Sequence, residues 1–146
     1  MGQSRPRWRG FTLIEMLVVL VIIGLLASLV GPKLFTKVDS SKVQTAQVQV
    51  KMLKGALATL RLDIDRFPTT AEGLALLSSP PQDERLRASW RGPYLDGELP
   101  KDPWGNPYQY SVPGSGGQPF ALYSFGADGK RGGEGLDADL GYLPPQ

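Results

Sequence analysis

The run from Phe11 to Val30 limits what this chain can be more than any other feature. Apart from Thr12, Glu15, Gly24 and Ser28, every residue in it is apolar. As a helix rising about 1.5 Å per residue, such a run spans roughly 30 Å, the hydrocarbon thickness of a bilayer. The 146 residues then leave room for one small domain beyond the anchor. Arg5, Arg7 and Arg9 precede the run, with no acidic residue before Glu15. The positive-inside tendency therefore keeps the N-terminus cytoplasmic and exports the remainder.

Three fates are open to this segment: a cleaved secretory signal, a plain signal anchor, or a specialised leader. Leu26-Ala27-Ser28-Leu29 is a poor version of the small-residue site that ends a secretory signal. Glu15 separates the readings. A carboxylate inside an apolar run costs about 2.5 to 3.5 kcal/mol on insertion scales, which points to a function for it. The plainer alternative is that Glu15, one turn in from Phe11, snorkels to the headgroups.

Composition excludes several classes. A formal charge of +2 spread along the chain provides no phosphate-binding surface, so no nucleic-acid partner is expected. The absence of Cys and His removes thiol nucleophiles, disulfides, Cys/His zinc sites and imidazole catalysis. A small exported domain without disulfides needs another staple if its core is thin, and a metal ion is one.

Beyond the apolar run, Gly31-Pro32 is expected to kink or loosen the helix, because Pro lacks an N–H and crowds the preceding turn. Val43, Ala46, Val50, Leu53, Leu57, Leu60 and Ile64 then recur at three- and four-residue spacing, an apolar stripe that must pack on something. Pro68 should end this helix, and Thr70 is the expected cap of a short helix from Ala71 to Leu77, itself ended by Pro80-Pro81. Downstream, Gln109 to Val112 and Phe120 to Ser124 have the length and aromatic content of antiparallel strands. The fold class is α+β: a long N-terminal helix on a small antiparallel sheet. In the turn from Leu99 to Tyr108, three prolines and a Gly impose rigidity, and Trp104 and Tyr108 are available for burial.

From Phe125 to Asp139 clustered carboxylates alternate with glycine. Oxygen-rich flexible loops suit calcium, which accepts carboxylates and backbone carbonyls, whereas metals that prefer nitrogen or sulfur find no ligands here. The spacing is not that of an EF-hand, and Asp and Gly also dominate plain solvated loops. Lys130 and Arg131 must face solvent if a cation binds. Binding would fold the loop and stabilise the domain by linkage.

Arg9-Gly10-Phe11-Thr12-Leu13-Ile14-Glu15 resembles the prepilin peptidase site of the type IV pilin superfamily. Phe67-Pro68-Thr69-Thr70-Ala71-Glu72-Gly73-Leu74 and Leu99-Pro100-Lys101-Asp102-Pro103-Trp104-Gly105-Asn106-Pro107-Tyr108 are similar to blocks of the type II secretion major pseudopilins, so the resemblance spans nearly the whole chain. It implies a pilin-like fold with a basic leader at 1–10, a transmembrane helical part at 11–32, an amphipathic helical part at 33–65 and a periplasmic domain at 66–146. It implies cleavage between Gly10 and Phe11, N-methylation of Phe11, and an assembly role for Glu15. The new α-amino group of one subunit would neutralise the Glu15 carboxylate of its neighbour, turning two buried charges into one pair.

The same resemblance implies a calcium site at Asp128, Asp137 and Asp139, completed by the backbone carbonyls of Phe125 and Gly133; the relative weight of Asp137 and Asp139 stays open. No catalytic residue and no enzymatic activity are expected. The implied role is a structural subunit of the periplasmic pseudopilus, which drives export of folded proteins across the outer membrane. Its implied partners are further copies of itself, minor pseudopilins, the prepilin peptidase, the inner-membrane assembly platform, the outer-membrane channel and the bacterial inner membrane, crossed once. Two alternatives stand beside it. Type IV and competence pilins commonly carry a C-terminal disulfide, which this chain cannot form. A membrane-anchored calcium-dependent hydrolase would draw on Asp63, Asp65, Asp96 or Asp102, although Asp63 and Asp65 point to different faces of a helix.

Overall fold

The computed structural model describes residue 2 and residues 9–146. Arg5, Arg7 and most of the expected leader lie outside the described residues. The chain divides into two compact units, Met1–Val38 and Asp39–Gln146.

In the first unit the backbone is non-helical through Thr12, and helix α1, Leu13–Ile64, begins immediately after it. Thr12 Oγ1 accepts from the Glu15 N–H at 3.2 Å, and Glu15 Oε2 accepts from the Thr12 N–H at 3.4 Å. This reciprocal pair satisfies two otherwise orphaned donors of the first turn. An 18-residue window of α1 is apolar enough to cross a membrane, and none of that window is buried within the chain. At Gly31-Pro32 the expected loosening takes no form that interrupts the helix, which runs through Pro32 unbroken. Proline removes one ladder bond while the turns on either side keep theirs, and the Thr36 hydroxyl donates to the Pro32 carbonyl at 3.0 Å.

In the second unit the stripe of α1 is the core. Ala46, Val50, Leu53, Leu57, Leu60 and Ile64 are buried, Val43 is half-buried, and Ala56 joins them. The helix ends earlier than Pro68 requires, at Asp65, whose φ of 64° is left-handed and whose N–H donates to the Arg61 carbonyl at 2.8 Å. A 3₁₀ segment, Gly73–Leu77, follows. The turn leading into it is closed by Thr69 and not Thr70: Thr69 Oγ1 accepts from the Glu72 N–H at 3.2 Å while Glu72 Oε2 accepts from the Thr69 N–H at 2.8 Å. Thr70 Oγ1 instead accepts from the Val112 N–H at 3.0 Å, tying this turn to the sheet. Helix α2, Glu84–Ser89, was not anticipated; the Asp83 side chain caps it by accepting from the Arg85 N–H at 2.9 Å.

The sheet comprises β1 (Gln109–Ser111), β2 (Ala121–Ser124) and β3 (Leu140–Tyr142), antiparallel in that order. Tyr110 pairs with Leu122 and Leu122 with Tyr142. β2 is buried along its whole length, and Leu122 joins Leu53, Leu57 and Leu60 of α1 in one core. Phe120 sits between Phe67, edge-on at 4.9 Å, and Tyr110, stacked at 5.8 Å. Burying apolar surface of this kind stabilises by about 25 cal/mol per Å², so the small sheet depends on α1 for its cover.

Candidate functional site

Two segments carry the expected site residues, one at each end of the chain. At the N-terminus, Gly10 and Phe11 lie in exposed, non-helical backbone, with Phe11 at 79% exposure. Among the described residues, a Cβ added at Gly10 would meet nothing within 4 Å. Glu15 is exposed in the first turn of α1 and, among the described residues, is engaged with Thr12 alone.

At the C-terminus the loop from Phe125 to Asp139 is closed by its own backbone. The Ala127 N–H donates to the Leu136 carbonyl at 2.9 Å, and a 3₁₀ turn, Gly135–Asp137, leads into β3. Gly126 has φ of 77°, and a Cβ there would lie 2.7 Å from the Ala138 carbonyl oxygen, so only glycine fits. Asp128 Oδ1 accepts from the Lys130 N–H at 3.0 Å, and Asp139 Oδ2 accepts from the Gly132 N–H at 3.1 Å. Asp137 is exposed, and the backbone of Gly133 lies against that of Asp137. Lys130 and Arg131 are both exposed.

The carboxylates do not converge: among the described residues no group of three or more acidic side chains is placed to hold one ion. One oxygen in the loop lacks a partner. Asp139 Oδ1 is buried without a hydrogen-bond partner, a situation that costs roughly 1 to 3 kcal/mol for a polar group and more for a charged one. An ion drawing on that oxygen and on loop carbonyls would satisfy it with an all-oxygen donor set, the kind calcium takes. An open cavity of about 510 Å³ adjoins Gly132, Gly133 and Asp139, and Arg131 lines it too, so its guanidinium must turn outward for a cation to enter.

The carboxylates considered for hydrolysis are scattered. Asp63 accepts from the Tyr94 hydroxyl at 2.7 Å, while Asp65 and Asp96 are exposed. Asp102 is buried at 4% exposure, within the turn that precedes β1. Its Oδ1 accepts from the N–H groups of Trp104 and Asn106 at 3.1 and 2.8 Å, and its Oδ2 from the Ser124 hydroxyl at 2.6 Å. Ser124 Oγ in turn accepts from the Gly126 N–H at 3.0 Å. No signal of this link exists in the sequence, where 22 residues separate its partners.

Comparison with known proteins agrees with this architecture. The family model for type II secretion system (T2SS), protein G matches residues 33–143, and the model for the prokaryotic N-terminal methylation motif matches residues 9–31. Type II secretion system core protein G of Pseudomonas aeruginosa is 46% identical over 138 residues, covering 94% of this chain and 96% of that protein. Core protein G of Vibrio cholerae is 44% identical over 132 residues, covering 90% and 89%. The crystal structure of the major pseudopilin from the type 2 secretion system of enterohaemorrhagic Escherichia coli has a TM-score of 0.62 and 34% identity, covering 75% of this chain and 92% of that one. A leading methylation motif, one long apolar helix and a three-stranded sheet under its second half meet here in one chain, which belongs to the type II secretion system protein G family and is a structural subunit of a pseudopilus.

Proposed function

We propose that this subunit is made as a precursor, cut between Gly10 and Phe11, N-methylated at Phe11, and drawn from the inner membrane into a homopolymeric periplasmic filament that drives folded proteins through an outer-membrane channel. The exposed, non-helical Gly10-Phe11 bond directly ahead of an uncovered apolar helix carries this reading. A peptidase needs accessible, non-helical backbone at its scissile bond, and the exposed Gly10-Phe11 bond supplies it. The chain crosses the membrane once, with its N-terminus cytoplasmic and residues 66–146 periplasmic.

Cleavage creates the charge that assembly uses. The α-amino group of Phe11 pairs with Glu15 of a neighbouring subunit, so neither is buried alone in the apolar interior of the filament. Apolar helices then exchange lipid contacts for protein contacts. The prepilin peptidase, minor pseudopilins and the inner-membrane assembly platform are the partners of these steps. Calcium, held by Asp128, Asp139 and Asp137 with the carbonyls of Phe125 and Gly133, would fix the C-terminal loop.

Intact mass and N-terminal sequencing of the membrane-extracted protein test the pathway. The expected product begins at Phe11 and carries one added methyl group. A chain that still begins at Met1, or is cut between Ala27 and Gly31, would overturn it. Thermal melting with calcium against chelator tests the loop, where a higher Tm in calcium is expected and an unchanged one refutes the ion.

A further inference from the structure

Asp102 is a buried carboxylate that no Lys or Arg pairs with among the described residues. Two backbone N–H groups and the Ser124 hydroxyl are its compensation. A buried carboxyl whose partners are all neutral depends on each of them, and one of the three, Ser124, lies outside the turn. The Ser124 hydroxyl is also what receives the Gly126 N–H, the first turn of the C-terminal loop. A second contact lies close by. A Cβ on Gly129 would fall 3.0 Å from Asn106 Nδ2 and 3.4 Å from its Cγ, so the Asn106 amide lies against the Gly129 backbone. Gly126 and Gly129, both left-handed with φ of 77° and 65°, bracket Asp128.

We propose that the turn from Asp102 to Asn106 is the positioning element of the ion-binding loop. Asp102 acts through Ser124 on Gly126, and Asn106 acts directly on Gly129. Together they set the direction of the Phe125 carbonyl and the Asp128 carboxylate before a divalent, oxygen-seeking cation arrives. Residues behind the direct ligands commonly govern metal affinity in this way, by leaving less of the site to be ordered on binding. The inference rests on the reading of Phe125 to Asp139 as a calcium site.

Calcium chloride titrated into the detergent-solubilised full chain by calorimetry, with parallel melts in chelator, tests it. Ser124→Ala and Asn106→Ala are each expected to weaken calcium binding roughly 10-fold and to shrink the calcium-induced rise in Tm. Leu57→Val, a core change remote from the loop, should lower the Tm in chelator yet leave calcium affinity unchanged, as would any merely structural role at Ser124 or Asn106. Should Ser124→Ala fail to fold, Asn106→Ala, on a part-exposed side chain, decides alone. Wild-type affinity in the variants would refute the positioning role while leaving the calcium site intact. A wild-type chain that binds no calcium would refute the site, and the positioning role with it.

Discussion

Arg66 Nη1 and Nη2 hold the two carboxylate oxygens of Glu72 at 2.8 Å each, fork against fork, across the turn that joins α1 to the 3₁₀ segment. The guanidinium first, then the Thr69 hydrogen bonds, keep the Glu72 carboxyl low, at about 2 against an ordinary 4.5, with burial opposing them. Below pH 4.5 the unfolded chain takes up a proton that the folded one refuses. The contribution is therefore complete above that pH and disappears as pH falls through about 2.

Glu72→Gln should then cost about 1 to 2 kcal/mol at neutral pH, a figure reduced for the partial exposure of both side chains. Denaturant melts between pH 7 and pH 2 check this. The gap between wild type and variant should be constant down to pH 5 and close below it; a gap that persists at pH 2 would contradict the ion pair.

Alkaline pH should strain the opposite side of the same turn. Burial, then the charge of Glu72, pushes the Tyr110 hydroxyl up to about 12, and burial pushes that of Tyr108 up as well. Above pH 10 the unfolded chain loses these protons first, so stability falls as pH rises. Tyr110→Phe forfeits the 2.7 Å bond to the Pro68 carbonyl, about 1 kcal/mol at pH 7. That deficit should narrow above pH 10, followed by tyrosinate absorbance alongside circular dichroism.

Truncation along α1 should follow the face and not the residue type. Leu57 is wholly buried and Leu62, five residues on, is 84% exposed. Leu57→Ala is expected to cost about 2 to 5 kcal/mol, while Leu62→Ala should change the stability of the folded subunit by less than about 0.5 kcal/mol. Urea midpoints in detergent distinguish the two, and equal losses would show that the packed face has been misassigned.

Gly126 and Gly132 make a matched pair, both left-handed, with φ of 77° and 82°. Only Gly126 is also crowded, by the Ala138 and Leu136 carbonyls, whereas Gly132 faces open space. Gly132→Ala should cost about 1 kcal/mol for conformation alone, and Gly126→Ala about 1 to 3 kcal/mol more. Limited proteolysis of the loop should show faster cleavage in Gly126→Ala.

Where a feature was legible in the sequence, one period or one costly residue carried it. The apolar run and Glu15 stood out by solvation cost, and the stripe from Ala46 to Ile64 by helical spacing, because only one face of a helix can be covered. β1 and β2 showed through their aromatic content. Helix α2 and β3, with six and three residues, are shorter than any period can register. Thr69 and Glu72 did spell a capping box, but the adjacent Thr70 offered the same hydroxyl, and only the pairing of Val112 with Thr70 decides between them. The C-terminal loop was visible as composition. Its support by Asp102 was not, since a carboxylate in a turn reads the same whether it faces water or a distant serine.

Because α1 runs from Leu13 to Ile64 without a break, the backbone bonds of its apolar part are made within the helix itself, save at the Ser28 carbonyl, which faces the missing N–H of Pro32. A change of surroundings from lipid to protein therefore leaves the main chain as it was and alters only which side chains it meets. Glu15 apart, the free-energy difference between the two environments is a sum of small increments, one per exposed apolar residue. Subunit exchange should thus be adjustable position by position between Leu13 and Val30, with no refolding step in either direction.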